Sequence, residues 1–112
     1  LTVDDQVFNI EALDIILSLG GVDVARHMHQ GLNGFQAVSQ VEAQAEDCFY
    51  HLILMDCNMP FMDGYEATRK IRQIYEERGL RQPYICAITG HGEDKFVDIA
   101  AEAGMNQVIV KP

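Results

Sequence analysis

Hydrophobic positions along this chain switch repeatedly between helical and strand-like spacing. After the apolar opening LTV and the pair Asp4-Asp5, the residues Val7, Ile10, Leu13 and Ile16-Leu17 recur at three-to-four-residue intervals until Gly20-Gly21 interrupts them. That predicts a short strand, a turn and a helix. Residues 22–26 alternate as a strand does, HMHQGLNG (27–34) breaks the run, and Phe35, Val38, Val41 and Ala45 restart a helical stripe. HLILMD (51–56) is a continuous apolar run closed by an acid, the pattern of a central parallel strand covered on both faces. NMPFMDG (58–64) reads as loop; Ala67, Ile71, Ile74 and Tyr75 give the next helical face, ended by Gly79, and Pro83 introduces the strand YICAIT. GHGED turns the chain again, Phe96, Val97, Ala100 and Ala103 mark a further helix with Gly104 as its left-handed terminator, and QVIV (107–110) is the last strand. The order βαβαβαβαβ, without repeat, linker or low-complexity tract, predicts an α/β fold: a parallel sheet with helices on both faces. Doubly wound sheets of this size normally close with a helix after the last strand. A fifth helix is therefore expected outside the 112 residues, and a chain opening at Leu1 reads as a fragment of a longer protein.

Composition narrows the reading. At 112 residues, with 48% hydrophobic and 22% charged positions, the chain suits one globular domain spanning 1–112 and is neither disordered nor collagen-like. Eight Lys and Arg against seventeen Asp and Glu give a net charge of -9, which repels nucleic acid and anionic membrane surfaces. No apolar run is long enough to span a bilayer, and no basic-then-apolar leader opens the chain. Cys48, Cys57 and Cys86 fit neither a disulfide framework nor a CxxC metal site, so a reducing, cytoplasmic setting is expected.

The chemistry gathers at strand ends. Asp4 and Asp5 follow the first strand, Asp56 ends the third, Thr89 the fourth and Lys111 the fifth. In an open α/β sheet those carboxyl ends share one edge, and ligands bind in the crevice where the strand order reverses. Two unit charges about 4 Å apart repel by roughly 4 kcal/mol at an effective dielectric of about 20, so a cluster of three carboxylates calls for a cation. With only oxygen ligands on offer, Mg2+ suits it better than zinc. Lys111 supplies a compact positive charge and Thr89 a hydroxyl donor. Together with the metal they would neutralise a phosphoryl group arriving at a carboxylate, which points to an aspartyl phosphate. The Asn58 carbonyl can turn towards the metal while Pro60 and Gly64 hold a tight loop, and Gly90 leaves room for a phosphate.

The segments VDD (3–5), LILMDCNMPFMDG (52–64), AITG (87–90), AEAGM (101–105) and VKP (110–112) resemble the receiver domain of two-component response regulators, and the resemblance covers the whole chain. EATRKIR after the MDG turn is similar to receivers attached to hybrid histidine kinases. The family implies a flavodoxin-like, doubly wound five-stranded parallel sheet of order 2-1-3-4-5. By position it implies Asp56 as phosphoacceptor, Asp5, Asp56 and the Asn58 carbonyl as direct metal ligands, and Asp4 as a ligand through water. Thr89 matches the switch hydroxyl and Lys111 the phosphate-binding lysine, with Pro112 suggesting a cis Lys-Pro bond. The implied partner is a histidine kinase or histidine phosphotransfer protein, and a dimer through the fourth helix and fifth strand is a family possibility. The chain departs from the family in two ways. Val108 stands where receivers usually carry Tyr or Phe, and without the last helix an apolar strip beside strands one and five is expected to be exposed.

Rival readings are weaker. An Asp-based, Mg-dependent phosphatase of the haloacid dehalogenase type would need a second acid where Asn58 stands, and a cap domain. A receiver-like interaction module without phosphorylation would have no need of all five polar positions. His27, His29 and His51 lack metal-ligand spacing; His91 is expected at the rim of the site. Met55, Met59 and Met62 read as packing around a sharp loop, Cys57 as turned away from the crevice, and the GLNG and GHG glycines lack a nucleotide-binding context.

Overall fold

The computed structural model describes residues 1–21, 29–44, 50–59, 61–90 and 94–110. Its elements are β1 (Thr2–Val3), α1 (Val7–Leu19), β2 (Gln30–Gly31), α2 (Gly34–Gln44), β3 (Leu52–Asp56), α3 (Gly64–Glu77), β4 (Tyr84–Thr89), α4 (Asp94–Ala103) and β5 (Gln107–Val110). All strand pairs are parallel and the order is β2-β1-β3-β4-β5, the flavodoxin-like arrangement expected.

One difference concerns the second strand. The alternating stretch 22–26 lies outside the described residues, whereas Gln30–Gly31, read as part of a break, pairs with Thr2–Val3. The Thr2 N–H donates to the His29 carbonyl at 3.0 Å and the Asp4 N–H to the Gly31 carbonyl at 3.1 Å. A two-residue strand has no period to detect; its partner decides it.

Handedness sorts the helices. Right-handed crossovers running leftward from β1 to β2, then rightward through β3, β4 and β5, put α1 on one face and α2, α3 and α4 on the other. On the latter face Val3, Ile53, Met55, Ile85 and Ala87 form one buried cluster with Ala37 and Val41 of α2, Ile71 and Tyr75 of α3, and Ala100 of α4. The α1 face is sparsely covered. Ile10 is the buried residue of α1, while Phe8, Ile15, Ile16 and Leu19 are exposed, as are Leu52, Tyr84 and Ile109 on the strands. The exposed apolar surface thus runs along α1, β3, β4 and β5, while Thr2 and Val3 of β1 are buried, so the strip expected beside strands one and five is found at five and not on one.

Arg72 of α3 ties the helix to the loops that enter β4 and β5. Its Nε and Nη2 donate to the Gly104 carbonyl at 2.9 and 2.6 Å, Nη1 to the Pro83 carbonyl at 2.6 Å and Gln82 Oε1 at 3.1 Å, and Nη2 also to Asn106 Oδ1 at 2.7 Å. Every N–H of the guanidinium is thereby used, a geometry that lysine cannot reproduce. Arg72→Ala is expected to lower the unfolding free energy by about 2–3 kcal/mol, less than the sum of its bonds because the site is partly wet. Urea denaturation reads this directly; a loss below about 0.5 kcal/mol, the scale of an ordinary surface change, would show that the clamp contributes little.

Candidate functional site

The strand ends bring the predicted acids together. Asp4 lies one residue past β1, Asp5 follows it, and Asp56 closes the neighbouring strand β3. This is the point where the chain's crossovers change direction, and adjacent connections leaving to opposite faces open a crevice between them. Asp4, Asp5 and Asp56 each offer a carboxylate oxygen, all within 4.8 Å of one another. Asp4 and Asp56 are each 3% exposed, and Asp5 is half-buried. Three acids this close, two of them out of solvent, repel in a low-dielectric recess unless a cation joins them. Oxygen-only donors without His or Cys fit a small hard ion such as Mg2+.

The front of α1 fixes Asp4. The Gln6 backbone N–H donates to Asp4 Oδ1 at 2.9 Å and Asn9 Nδ2 to Asp4 Oδ2 at 3.1 Å. Sequence reading missed Gln6 and Asn9; a polar amide in the first turn after an acidic pair was the available signal. Asp56 is held from its own loop, the Asn58 N–H donating to Asp56 Oδ1 at 3.3 Å, and Asn58 itself is exposed.

That loop is shaped by close approaches. A Cβ on Gly64 would sit 2.2 Å from the Asp56 carbonyl oxygen and 3.0 Å from Cys57 Cα, so α3 starts where only glycine fits. The Gly64 N–H donates to the Cys57 carbonyl at 3.1 Å, and Asp63 caps the helix by accepting from the Glu66 N–H at 2.9 Å. Phe61 holds a left-handed φ of 70°, a conformation unfavourable for an aromatic residue. Cys57 is buried in the core. Tyr65, half-buried beside it, has its hydroxyl pKa pushed well above the ordinary tyrosine range by burial first, then by its hydrogen bond with Cys57 and the nearby charges of Cys57 and Asp63.

Thr89 ends β4 and is 1% exposed. Its neighbour Ile88 is in register with Asp56, so Thr89 stands one residue beyond the acid on the adjacent strand. Val108, where an aromatic was expected by resemblance, is half-buried against the core. Lys111, the Lys111-Pro112 bond, Pro60, His27, His91 and Cys48 lie outside the described residues. A separate cleft of about 590 Å3 opens at the opposite edge, lined in part by Tyr50, His51, Arg72, Arg81 and Tyr84. With the Arg72 donors spent on the Gly104 and Pro83 carbonyls and the Gln82 and Asn106 side-chain oxygens, that arginine is structural there. No helix among the described residues is long and apolar enough to cross a membrane.

Known proteins share this pattern. The profile of the response regulator receiver domain matches residues 1–112. "Probable histidine kinase 2" of Oryza sativa subsp. indica is 36% identical over 111 residues, covering 99% of this chain and 10% of the relative, so the chain spans about a tenth of that kinase's length. "Two-component response regulator ORR41" of Oryza sativa subsp. japonica is 36% identical over 112 residues, 100% of this chain and 80% of the relative. Among solved structures, the receiver domain of the histidine kinase CKI1 from Arabidopsis thaliana, complexed with Mg2+, superposes with a TM-score of 0.79 at 31% identity, covering 97% of this chain and 79% of that one. Motifs, sheet order and whole-length similarity agree, and the chain belongs to the response regulator receiver domain family.

Proposed function

We propose that this domain accepts a phosphoryl group on Asp56 from a phosphohistidine of a partner protein, within a two-component phosphorelay. The observation that carries the reading is the convergence of Asp4, Asp5 and Asp56 at one sheet edge. An Asp56 oxygen attacks phosphorus, the P–N bond to the donor imidazole breaks with its electron pair going to nitrogen, and an acyl phosphate forms. Water later hydrolyses it, restoring the carboxylate and releasing inorganic phosphate. Asp4, Asp5, Asp56 and the Asn58 carbonyl would hold Mg2+, which when bound supplies positive charge to the phosphoryl oxygens. The CKI1 receiver was crystallised with that ion. Thr89 donates its hydroxyl to the new phosphoryl group, and Lys111 places a positive charge against it. Gln6 and Asn9 keep Asp4 turned inward.

The partner is a histidine kinase or histidine phosphotransfer protein, in a reducing cytoplasmic compartment. The long kinase relatives favour a hybrid kinase as the parent chain. Acetyl phosphate with Mg2+ is expected to add one phosphate per chain by intact-mass measurement, and chelation of the metal to prevent it. An unmodified chain, or equal labelling in chelator, would refute the phosphoacceptor reading; binding of Mg2+ without any labelling would favour an interaction module.

A further inference from the structure

A second group of oxygen atoms lies under α1, nearer the amino ends of the strands than the acid pocket. Leu1 and Val3 belong to the buried cluster on the face of α2, α3 and α4, so Thr2 between them points to the other side of the sheet, towards α1. Gln30 is in register with Thr2 on the neighbouring strand, and register partners share a face. On α1, Asp14 stands one turn beyond Ile10, the buried residue of that helix, and therefore on its inner side. A hydrogen bond joins helix and strand here, Gln30 Nε2 donating to Asp14 Oδ2 at 2.6 Å. Two oxygens at this junction are buried and have no hydrogen-bond partner among the described residues: Thr2 Oγ1, on a residue with 0% exposure, and Asp14 Oδ1.

We infer that Thr2 Oγ1, Asp14 Oδ1 and the Gln30 side-chain carbonyl form a binding site for a monovalent alkali cation, Na+ or K+, which fastens α1 to β1 and β2. A carboxylate oxygen and a hydroxyl that are buried and unpaired each cost free energy, and one small particle between them relieves both. Charge decides which particle. Residues 1–21 hold Asp4, Asp5, Glu11 and Asp14 and no Lys, Arg or His, and residues 29–31 add only the imidazole of His29. The Leu1 amino group donates to the Leu52 carbonyl at 3.1 Å, on the opposite side of β1 from β2. Such a field favours a positive ion over a neutral water. One carboxylate with two neutral oxygens matches a single positive charge, whereas calcium-type sites draw on several carboxylates, and hard oxygen donors do not suit soft metals. Gln30 Nε2 is spent on Asp14 Oδ2, which leaves the carbonyl end of that amide for the ion. None of the three ligands belongs to the acid pocket, so the site stands apart from the phosphoacceptor reading.

The test is thermal unfolding in NaCl, KCl or tetramethylammonium chloride, each at about 0.15 M so that screening is equal, with chelator present to remove divalent ions. Tetramethylammonium serves as the cation too large to enter. The midpoint of the unaltered chain is expected to lie about 4–8 °C higher in NaCl or KCl, as for an ion at several times its dissociation constant. Asp14→Asn and Thr2→Val are each expected to abolish most of that difference, while Asp56→Asn, which weakens the acid pocket instead, keeps it. Thr2→Val should fold, since it removes an unpaired hydroxyl, and in tetramethylammonium it is expected to melt no lower than the unaltered chain. Equal midpoints of the unaltered chain in the three salts overturn the inference. So does a difference that persists in Asp14→Asn or Thr2→Val, or one that vanishes in Asp56→Asn, which would seat the ion in the acid pocket. Stability lost by Thr2→Val and Asp14→Asn to the same extent in every salt, the signature of a bridging water, overturns it as well.

Discussion

Asp56→Asn is expected to take up no phosphate from acetyl phosphate or from a protein donor, while the fold survives. The amide is nearly isosteric with the carboxylate, and the Asn58 N–H that donates to Asp56 Oδ1 still meets an oxygen. Substitution also removes one of three clustered negative charges, so the metal-free domain should be at least as stable as the unaltered one. What disappears is the proposed nucleophile: an amide oxygen carries too little charge to attack phosphorus and yields no acyl phosphate. Affinity for Mg2+ should fall as well, since one of its carboxylates is gone. Mass spectrometry after acetyl phosphate treatment checks the first result and titration calorimetry the second. Equal labelling of Asp56→Asn and the unaltered chain would transfer the acceptor role to another residue.

Gly64→Ala should destabilise the domain by about 3 kcal/mol or more, at the upper end of what overpacking costs. The obstacle is backbone on both sides. A methyl group there would meet the Asp56 carbonyl oxygen at 2.2 Å and Cys57 Cα at 3.0 Å, and the strand end cannot yield without moving the acceptor. A domain of this size holds on the order of 5–15 kcal/mol in total, so urea denaturation will show a large shift of the midpoint. Molecules that remain folded are expected to accept phosphate slowly, because relieving the clash displaces Asp56 from Asp4 and Asp5. Unchanged stability and rate would mean that the entry to α3 is looser than drawn.

Much of this arrangement was legible because it leaves periodic traces. The continuous run LILMD marked β3 and its closing acid, helical spacing marked all four described helices, and the positive φ of 102° at Gly104 matches the stop read from its position. Strand-end chemistry also places Asp4, Asp5, Asp56 and Thr89 along one edge. What escaped depends on contacts between distant segments. The pairing of Gln30–Gly31 with β1 is decided by its partner, and glycine at 64 is dictated by the Asp56 carbonyl more than by turn chemistry. The left-handed backbone at Phe61 has no compositional signal, aromatic residues being poor candidates for it. The grip on Asp4 by the Gln6 backbone N–H and the Asn9 side-chain amide depends on how the first turn of α1 folds over the acid, which residue type alone does not reveal.

The unequal dressing of the two sheet faces has a consequence for how the molecule breathes. With Ile10 as its buried anchor, α1 is the helix least fastened to the rest, and local opening should begin there while the opposite layer stays shut. The same helix carries Gln6 and Asn9 against Asp4 at its front end. A cation seated among the acids would therefore hold down the loosest segment of the fold, and fraying of that segment would in turn loosen the grip on the ion, each event drawing on a single shared equilibrium.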